Sequence, residues 1–403
     1  MLLAFCWSCT QVDEPLQAVF NENQLLKGLA DDPVYEVQVI YSQIDRDTAQ
    51  QPVFTTYQYA PDSGKYFYPA STVKLPASLL ALEKINQLQV AGLDAWTPMM
   101  IDSAFSRQMR VAVDVTAPGL QPSVGHYIRK ILITSDNDAY NRLYEFLGQD
   151  YFNETLRAKG YDDTRIVHRL SLSRTPAENR HTNPMKFYQG DSVLYEQPLV
   201  VSSGKFNYGS SLLRGVGYEK EGEIVKAPFD FQYKNYFPLD EQHRLLQALF
   251  FPDQFPENAF RLTAEDYAFL HYNMGVLPGE SDIVAYHDKS VYWDSFVKFL
   301  IYGSDPDAII PANIRVFNKI GQAYGYLIDN AYIVDFDNDV EFMLSAVIHV
   351  NANRIFNDGV YEYDSIGFPF MAQLGEAIYQ RELKRKKTVK PDLSRLQRLF
   401  QGE

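Results

Sequence analysis

Three clusters in this chain carry residues able to cleave a carbonyl compound. Ser71 and Lys74 stand three apart at the head of an apolar run, so on a helix their side chains share a face. A serine hydroxyl is a weak nucleophile at neutral pH; it needs a neighbouring base and donors for the oxyanion that its attack creates. Free lysine has a pKa of roughly 10.4 and serves as that base only when desolvated or set beside another positive charge. Ser135-Asp136-Asn137 puts a hydroxyl, a carboxylate and an amide in a polar break between Leu132 and Leu143. Lys319-Ile320-Gly321 offers a second cation, and a glycine that admits close backbone approach. A further serine-lysine pair at the same spacing, Ser202 and Lys205, lies in a glycine-rich stretch with no helical run behind it, and is read as chance.

In this order, Ser71-Thr72-Val73-Lys74, Ser135-Asp136-Asn137 and Lys319-Ile320-Gly321 resemble the S-x-x-K, S-D-N and K-T-G signature of serine β-lactamases and penicillin-binding proteins, closest to the class A branch. The resemblance spans about residues 34–385, apart from 187–260. It implies Ser71 as nucleophile, Lys74 as its base, Ser135 as proton relay to the leaving atom, and Lys319 as the group that attracts a substrate carboxylate and tunes Ser135. Asn137 and Gly321 would border the substrate, and the N–H of Gln322 would join that of Ser71 in an oxyanion hole. Asp136 is read as a turn-fixing side chain.

Two departures from the family pattern bear on function. Ile320 replaces the usual threonine or serine, a hydroxyl that helps hold a substrate carboxylate. The loop 166–184 contains no acid at Leu170 to Ser173, where β-lactamases of this kind place the glutamate that activates the deacylating water. Glu178 and His168 are the nearest substitutes, each more readily explained as a residue that holds its loop. The implied function is an exported serine hydrolase working through a Ser71 acyl-enzyme on an amide or ester, with a β-lactam or cell-wall peptide among the candidates and weak or unconventional deacylation. Two rivals stay open: a true β-lactamase, and a catalytically weak envelope binding or sensor protein.

The elements must bring these clusters together. Val34 to Ser42 and Val53 to Tyr59 read as an antiparallel pair, and Leu75 to Leu88 as a helix whose first turns Pro76 should bend. The segment from Ile131 to Gly148 reads as helical on both sides of the Ser135 break. Residues 187–260, rich in Tyr, Phe, Gly and Pro, read as an insertion of strands or long loops. Arg315 to Phe336 and Glu341 to Asn351 read as neighbouring strands turned by Asp337-Asn338-Asp339, and Ser365 to Arg385 as a helix. The expected fold is α+β: an antiparallel sheet flanked by helices, built from 25–74 and 290–385, with a mostly helical second domain at 75–289 and a basic tail at 386–403. The site would lie between the two.

The 403 residues are 46% hydrophobic, enough for a large core. A net charge of -14 argues against nucleic acid as partner and leaves a small molecule or peptide as substrate. The two cysteines, Cys6 and Cys9, both lie in the apolar start Met1 to Cys9, and the seven histidines show no ligand spacing, so neither a metal nor another cofactor is expected. That start reads as the tail of a secretory signal with Cys9 as a lipid anchor, hence a periplasmic or membrane-anchored protein of a bacterial envelope. The sequence gives no oligomeric state.

Overall fold

Alternating apolar residues on both chain ends build one sheet. The computed structural model describes residues 14–206 and 210–401; the lipid-anchor expectation at Cys9 lies outside them. Near the N-terminus, β1 (Gln38–Arg46) pairs with β2 (Pro52–Tyr59). The small strands β3 (Met99–Ile101), β4 (Met185–Gln189) and β5 (Ser192–Gln197) form a three-stranded ribbon. Short pieces follow: β6 (Leu213–Arg214), β7 (Gly217–Lys220), β8 (Glu223–Val225) and β9 (Phe229–Asp230). Three long strands, β10 (Ile314–Ala323), β11 (Tyr326–Asp335) and β12 (Val340–His349), precede the two-residue β13 (Ile355–Phe356). The main sheet has the order β10-β11-β12-β1-β2 and is antiparallel throughout.

Period-two patterning gives this sheet two apolar faces. Val39, Leu327, Ile333, Phe342 and Leu344 face one core, closed by helices α1 (Glu14–Glu22), α2 (Gln24–Asp31) and α10 (Phe368–Lys384). Ile40, Phe317, Ile328, Tyr332 and Met343 face the other. That core is shared with α3 (Lys74–Leu88), α4 (Val124–Thr134), α5 (Asn137–Leu147), α6 (Gln149–Ala158), α8 (Leu239–Phe250) and α9 (Ala264–Gly275). The short α7 (Pro176–Arg180) caps a loop, and α11 (Ser394–Arg398) lies by the core through Leu393, Leu396 and Phe400. Among the described residues no helix is long and apolar enough to cross a membrane.

Several expected boundaries shift for local reasons. β1 begins at Gln38 rather than Val34, because Asp32 caps a 3-10 turn at Pro33–Tyr35 and Glu36 is left-handed. The stretch Arg315 to Phe336 is two strands, split by Tyr324 (φ 56°) and Gly325 (φ 81°). Both are left-handed, the signature of a two-residue type I′ hairpin. Residues 187–260 are more than strands and loops: α8 lies inside them and packs on β1, β11 and β12. Leu239, Leu245, Leu246 and Leu249 recur at helical spacing and bury. The aromatic richness of the segment masked that period. Likewise α1 and α2 precede Val34, where the first element was expected, with Leu16, Val19, Leu26 and Leu29 buried and Asn23 capping α2.

One packing constraint fixes the wall beside the site. The segment Trp293 to Pro306 lies against α10, where a Cβ at Gly375 would run into the backbone N of Ile301 and one at Gly303 would lie 3.1 Å from Ala372 Cβ. Gly375→Ala must therefore push backbone apart. We expect it to destabilise the fold by about 1–3 kcal/mol, read as a lowered midpoint in urea unfolding; an unchanged midpoint would mean that this contact does not hold the segment.

Candidate active site

Ser71 sits on a 3-10 turn, Ala70–Val73, that runs directly into α3. Ala70 is left-handed (φ 49°), a conformation an L-residue adopts at a cost of about 1 kcal/mol. The turn is tied by Thr72 N and Oγ1, which donate to Pro69 O at 3.1 and 2.8 Å. Pro76 falls in the first turn of α3, where a missing N–H is tolerated. The helix then carries Lys74 one turn beyond Ser71, with Nζ 2.8 Å from Ser71 Oγ.

Lys74 is fully buried, and its Nζ has four oxygens around it. Besides Ser71 they are Ser135 O at 2.5 Å, Ser135 Oγ at 3.2 Å and Asn137 Oδ1 at 2.7 Å. The Ser135 break delivers them. Ser135 is the left-handed C-cap of α4 (φ 59°), its N–H donating to Ile131 O. Asp136 caps α5 through Oδ1, which accepts from Ala139 N at 2.8 Å, so its part is to set the turn. Asn137 opens α5 and donates through Nδ2 to Ser171 Oγ at 2.9 Å.

Burial, and next the charge of Lys319, hold the Lys74 ammonium pKa well below the usual lysine range, against a smaller pull from Asp136. Lowering the pKa raises the share of free amine, the form able to take a proton from Ser71 across the 2.8 Å contact. Lys319 projects from β10 toward the same place and donates to Ser135 Oγ at 2.8 Å and to Ile320 O at 3.2 Å. Burial takes its own pKa down to about 7, opposed by Asp329 and helped by Lys298. Ser135 Oγ thus joins the two lysines.

The edge position of β10 completes the arrangement. A Cβ on Gly321 would lie 2.6 Å from Pro69 O, so only glycine lets this strand abut the Ser71 turn. The pair Ala323↔Tyr326 closes the hairpin, and hydrogen-bonded pairs alternate from there, leaving Gln322↔Leu327 as a non-bonded pair. The Gln322 N–H therefore points off the free edge of the sheet, on the side of the Ser71 turn, as an oxyanion donor must.

Behind β10 lies a network that sequence reading missed. Lys298 Nζ, fully buried, donates to Met274 O, Val316 O and Asn318 Oδ1 at 2.8 Å each. Asn318 Nδ2 donates to Asp329 Oδ1 at 2.8 Å, and Asp329 Oδ2 accepts from the N–H groups of Phe299 and Leu300. Burial lowers the Lys298 pKa to about 7 and raises that of Asp329 to about 6. The network pins residues 297–300 to the strand carrying Lys319. A lysine in an aromatic run and an aspartate in an apolar strand were its only signals.

The two substitute bases are elsewhere employed. Glu178 makes a capping box with Thr175, accepting from Thr175 N at 2.8 Å, and faces Arg107 at 3.6 Å. His168 is buried, stacked on Tyr68, with Nδ1 2.5 Å from Arg169 O, and burial drives its pKa down to about 3. The loop instead sets Ser171 beside Asn137. Ser202 of the second serine-lysine pair accepts from Gln149 N at 3.1 Å, a structural bond.

Ser71 stands between two cavities. One, of about 810 Å³, is lined by Ser135, Ile320 and aromatic residues from Trp293 to Tyr302. The other, of about 360 Å³, is lined by Tyr68, Asn137, Ser171 and Tyr324. Among the described residues there is no group of three or more His, Cys, Asp or Glu side chains that could hold a metal.

Residues 35–196 match a family model described as the Beta-lactamase enzyme family, a stretch that includes Ser71, Lys74 and Ser135 but ends before Lys319. No curated protein matches the sequence. Among solved structures, one of PBP-A is similar at 14% identity and a TM-score of 0.51, covering 92% of this chain and 98% of that one. A β-lactamase from Sphaerobacter thermophilus, at 12% identity and a TM-score of 0.48, and one from Xanthomonas campestris, at 14% and 0.48, each cover the same shares. The likeness to PBP-A is one of fold.

Two outcomes follow from this geometry. Lys319→Met removes a like charge from Lys74, so the Lys74 pKa rises. The rate of Ser71 acylation, which needs the free amine, should then climb with pH over a higher range than in the wild type. A pH profile of acylation by an activated ester reads this, and an unmoved profile would show that Lys319 does not tune Lys74. Glu178→Gln and His168→Asn should leave the lifetime of any acyl adduct within about twofold, since neither is bonded to the Ser71 cluster; a tenfold longer lifetime in either would make that residue the base.

Proposed function

We propose, for a chain that is a serine hydrolase of the β-lactamase and penicillin-binding-protein kind, that Ser71 cleaves an amide or ester through an acyl-enzyme that water resolves slowly. The observation that carries this reading is the 2.8 Å contact between Ser71 Oγ and a fully buried Lys74. Ser71 Oγ bonds to the carbonyl carbon and gives its proton to Lys74. The N–H groups of Ser71 and Gln322 stabilise the oxyanion. The bond to the leaving nitrogen or oxygen then breaks, and that atom takes a proton through Ser135 Oγ, which lies 3.2 Å from Lys74 and 2.8 Å from Lys319. Water later adds to the acyl carbon, releasing the acid and returning the proton to Ser71.

Slow resolution is supported by what surrounds Ser71. The loop contributes Ser171 near Asn137, and a neutral hydroxyl cannot deprotonate water as a carboxylate can. This favours a peptidase- or esterase-like enzyme over a fast β-lactamase. Ile320, with no hydroxyl, weakens the grip expected on a penicillin carboxylate. Work outside the cytoplasm, on a cell-wall peptide or an ester of the envelope, is our reading of the apolar start Met1 to Cys9.

An intact-mass time course with a penicillin, a cephalosporin and an activated phenyl ester tests the proposal. We expect a long-lived adduct mapped to Ser71 with the ester, weaker capture of the lactams, and no adduct in Ser71→Ala. Labelling of Ser71→Ala equal to wild type would remove Ser71 as nucleophile. Rapid lactam consumption with no accumulating adduct would make the protein a true β-lactamase.

A further inference from the structure

The two cavities that flank Ser71 are chemically unlike, and the proton relay says which part of the substrate enters each. A leaving nitrogen or oxygen must come within reach of Ser135 Oγ to take its proton. Ser135 lines the larger cavity and not the smaller. The leaving group therefore extends into the larger cavity, and the acyl part into the smaller, beside Asn137 and Ser171.

The larger cavity is walled by Trp293, Phe296, Phe299, Tyr302 and Phe368, with Ile320 below them. Its volume of about 810 Å³ falls in the range of sites that enclose a whole small ligand. The wall is preformed. Phe299 N is tied to Asp329, Trp293 Nε1 donates to Ser304 O at 2.9 Å, and Phe299 meets Phe368 edge-on at 5.0 Å between centroids. Its charged members are two exposed carboxylates, Asp305 and Asp364; among its lining residues there is no Arg or Lys. Lys319, outside that lining, is buried and donates to Ser135 Oγ and Ile320 O.

Resting on the Ser71 acyl-enzyme, we propose that the natural leaving group is a bulky aromatic or apolar amine or alcohol that is neutral or cationic and bears no free carboxylate. An anion there would face Asp305 and Asp364 across apolar walls, with no cation among the lining residues to pair it. A cation gains from those carboxylates and from the ring faces. Substrates that release a free amino acid, and penicillins, present the wrong charge to this cavity. An ester, or an internal amide whose leaving side continues as a blocked chain, presents the right one.

Three phenylacetate esters test this, differing only at the meta position of the leaving phenol: carboxylate, carboxamide or aminomethyl. Acylation of the full chain is followed by phenol release and intact mass at pH 7, each rate divided by that ester's spontaneous hydrolysis. We expect the carboxamide and aminomethyl esters to acylate Ser71 at least about fivefold faster than the carboxylate ester. Asp305→Asn combined with Asp364→Asn, both at exposed positions, should narrow that gap by speeding the carboxylate ester. If the carboxylate ester labels Ser71 as fast as the others, the proposal is overturned while the Ser71 reading stands. If no ester labels Ser71, both fall together. If the double variant leaves the gap unchanged, the two carboxylates do not set the preference and the charge argument fails.

Discussion

A lysine shut away from water, yet ringed by oxygens, is the constraint on which this site depends. Lys74 is fully buried with four oxygen neighbours. An ammonium can donate three hydrogen bonds, so four oxygens are one more than it can serve. Burial and the nearby Lys319 penalise its charge. The neutral amine removes that charge penalty, and its lone pair can accept from Ser71. The catalytic reading of Ser71 thus rests on desolvation, and desolvation rests on how α3, α4, α5 and β10 close around one nitrogen.

The closure is achieved largely by backbone. A left-handed Ser135 ends α4 and turns its carbonyl onto Lys74. Gly321 lets β10 come against the carbonyl of Pro69, which a methyl group would hold off. Because β10 is the sheet's edge, it keeps free N–H groups on the side where an oxyanion forms. The buried Lys298–Asn318–Asp329 network then joins the strand that bears Lys319 to the segment that bears the aromatic wall. The strand of Lys319 and the aromatic wall are therefore tied to each other, and a change in one should be felt in the other.

The fold was legible where period and punctuation agreed. The antiparallel pairing of β1 with β2, the helix after Ser71, the helices about the Ser135 break, the β11–β12 turn and the late helix α10 were all foreseeable. Aromatic-rich or mixed stretches hid the rest. Helix α8 was obscured because Phe and Tyr around it suggested strand, and the β10–β11 hairpin because the apolar pattern runs almost unbroken through Tyr324-Gly325. Of the site, Ser71, Lys74, Ser135, Asn137 and Lys319 could be named in advance, from the resemblance of their three motifs, in order, to a known signature. Ser171 could not, because a serine in a loop of serines carries no signal until Asn137 is found beside it.

By itself the sequence determined which groups were available: a nucleophile, a lysine one helical turn away, a hydroxyl relay, a second cation, an isoleucine where a hydroxyl is usual, and a loop without an acid where one was expected. These are statements about composition at fixed spacing, and a linear chain contains them. Tertiary structure decided which groups meet and what each becomes. Whether Lys74 is a base depends on the solvent it loses, and whether Glu178 reaches Ser71 depends on a capping box that holds it at Thr175. The character of the leaving-group cavity depends on aromatic residues from Trp293 onward meeting Phe368 across the molecule. Dielectric environment and long-range proximity belong to the packed molecule, and no local pattern encodes them.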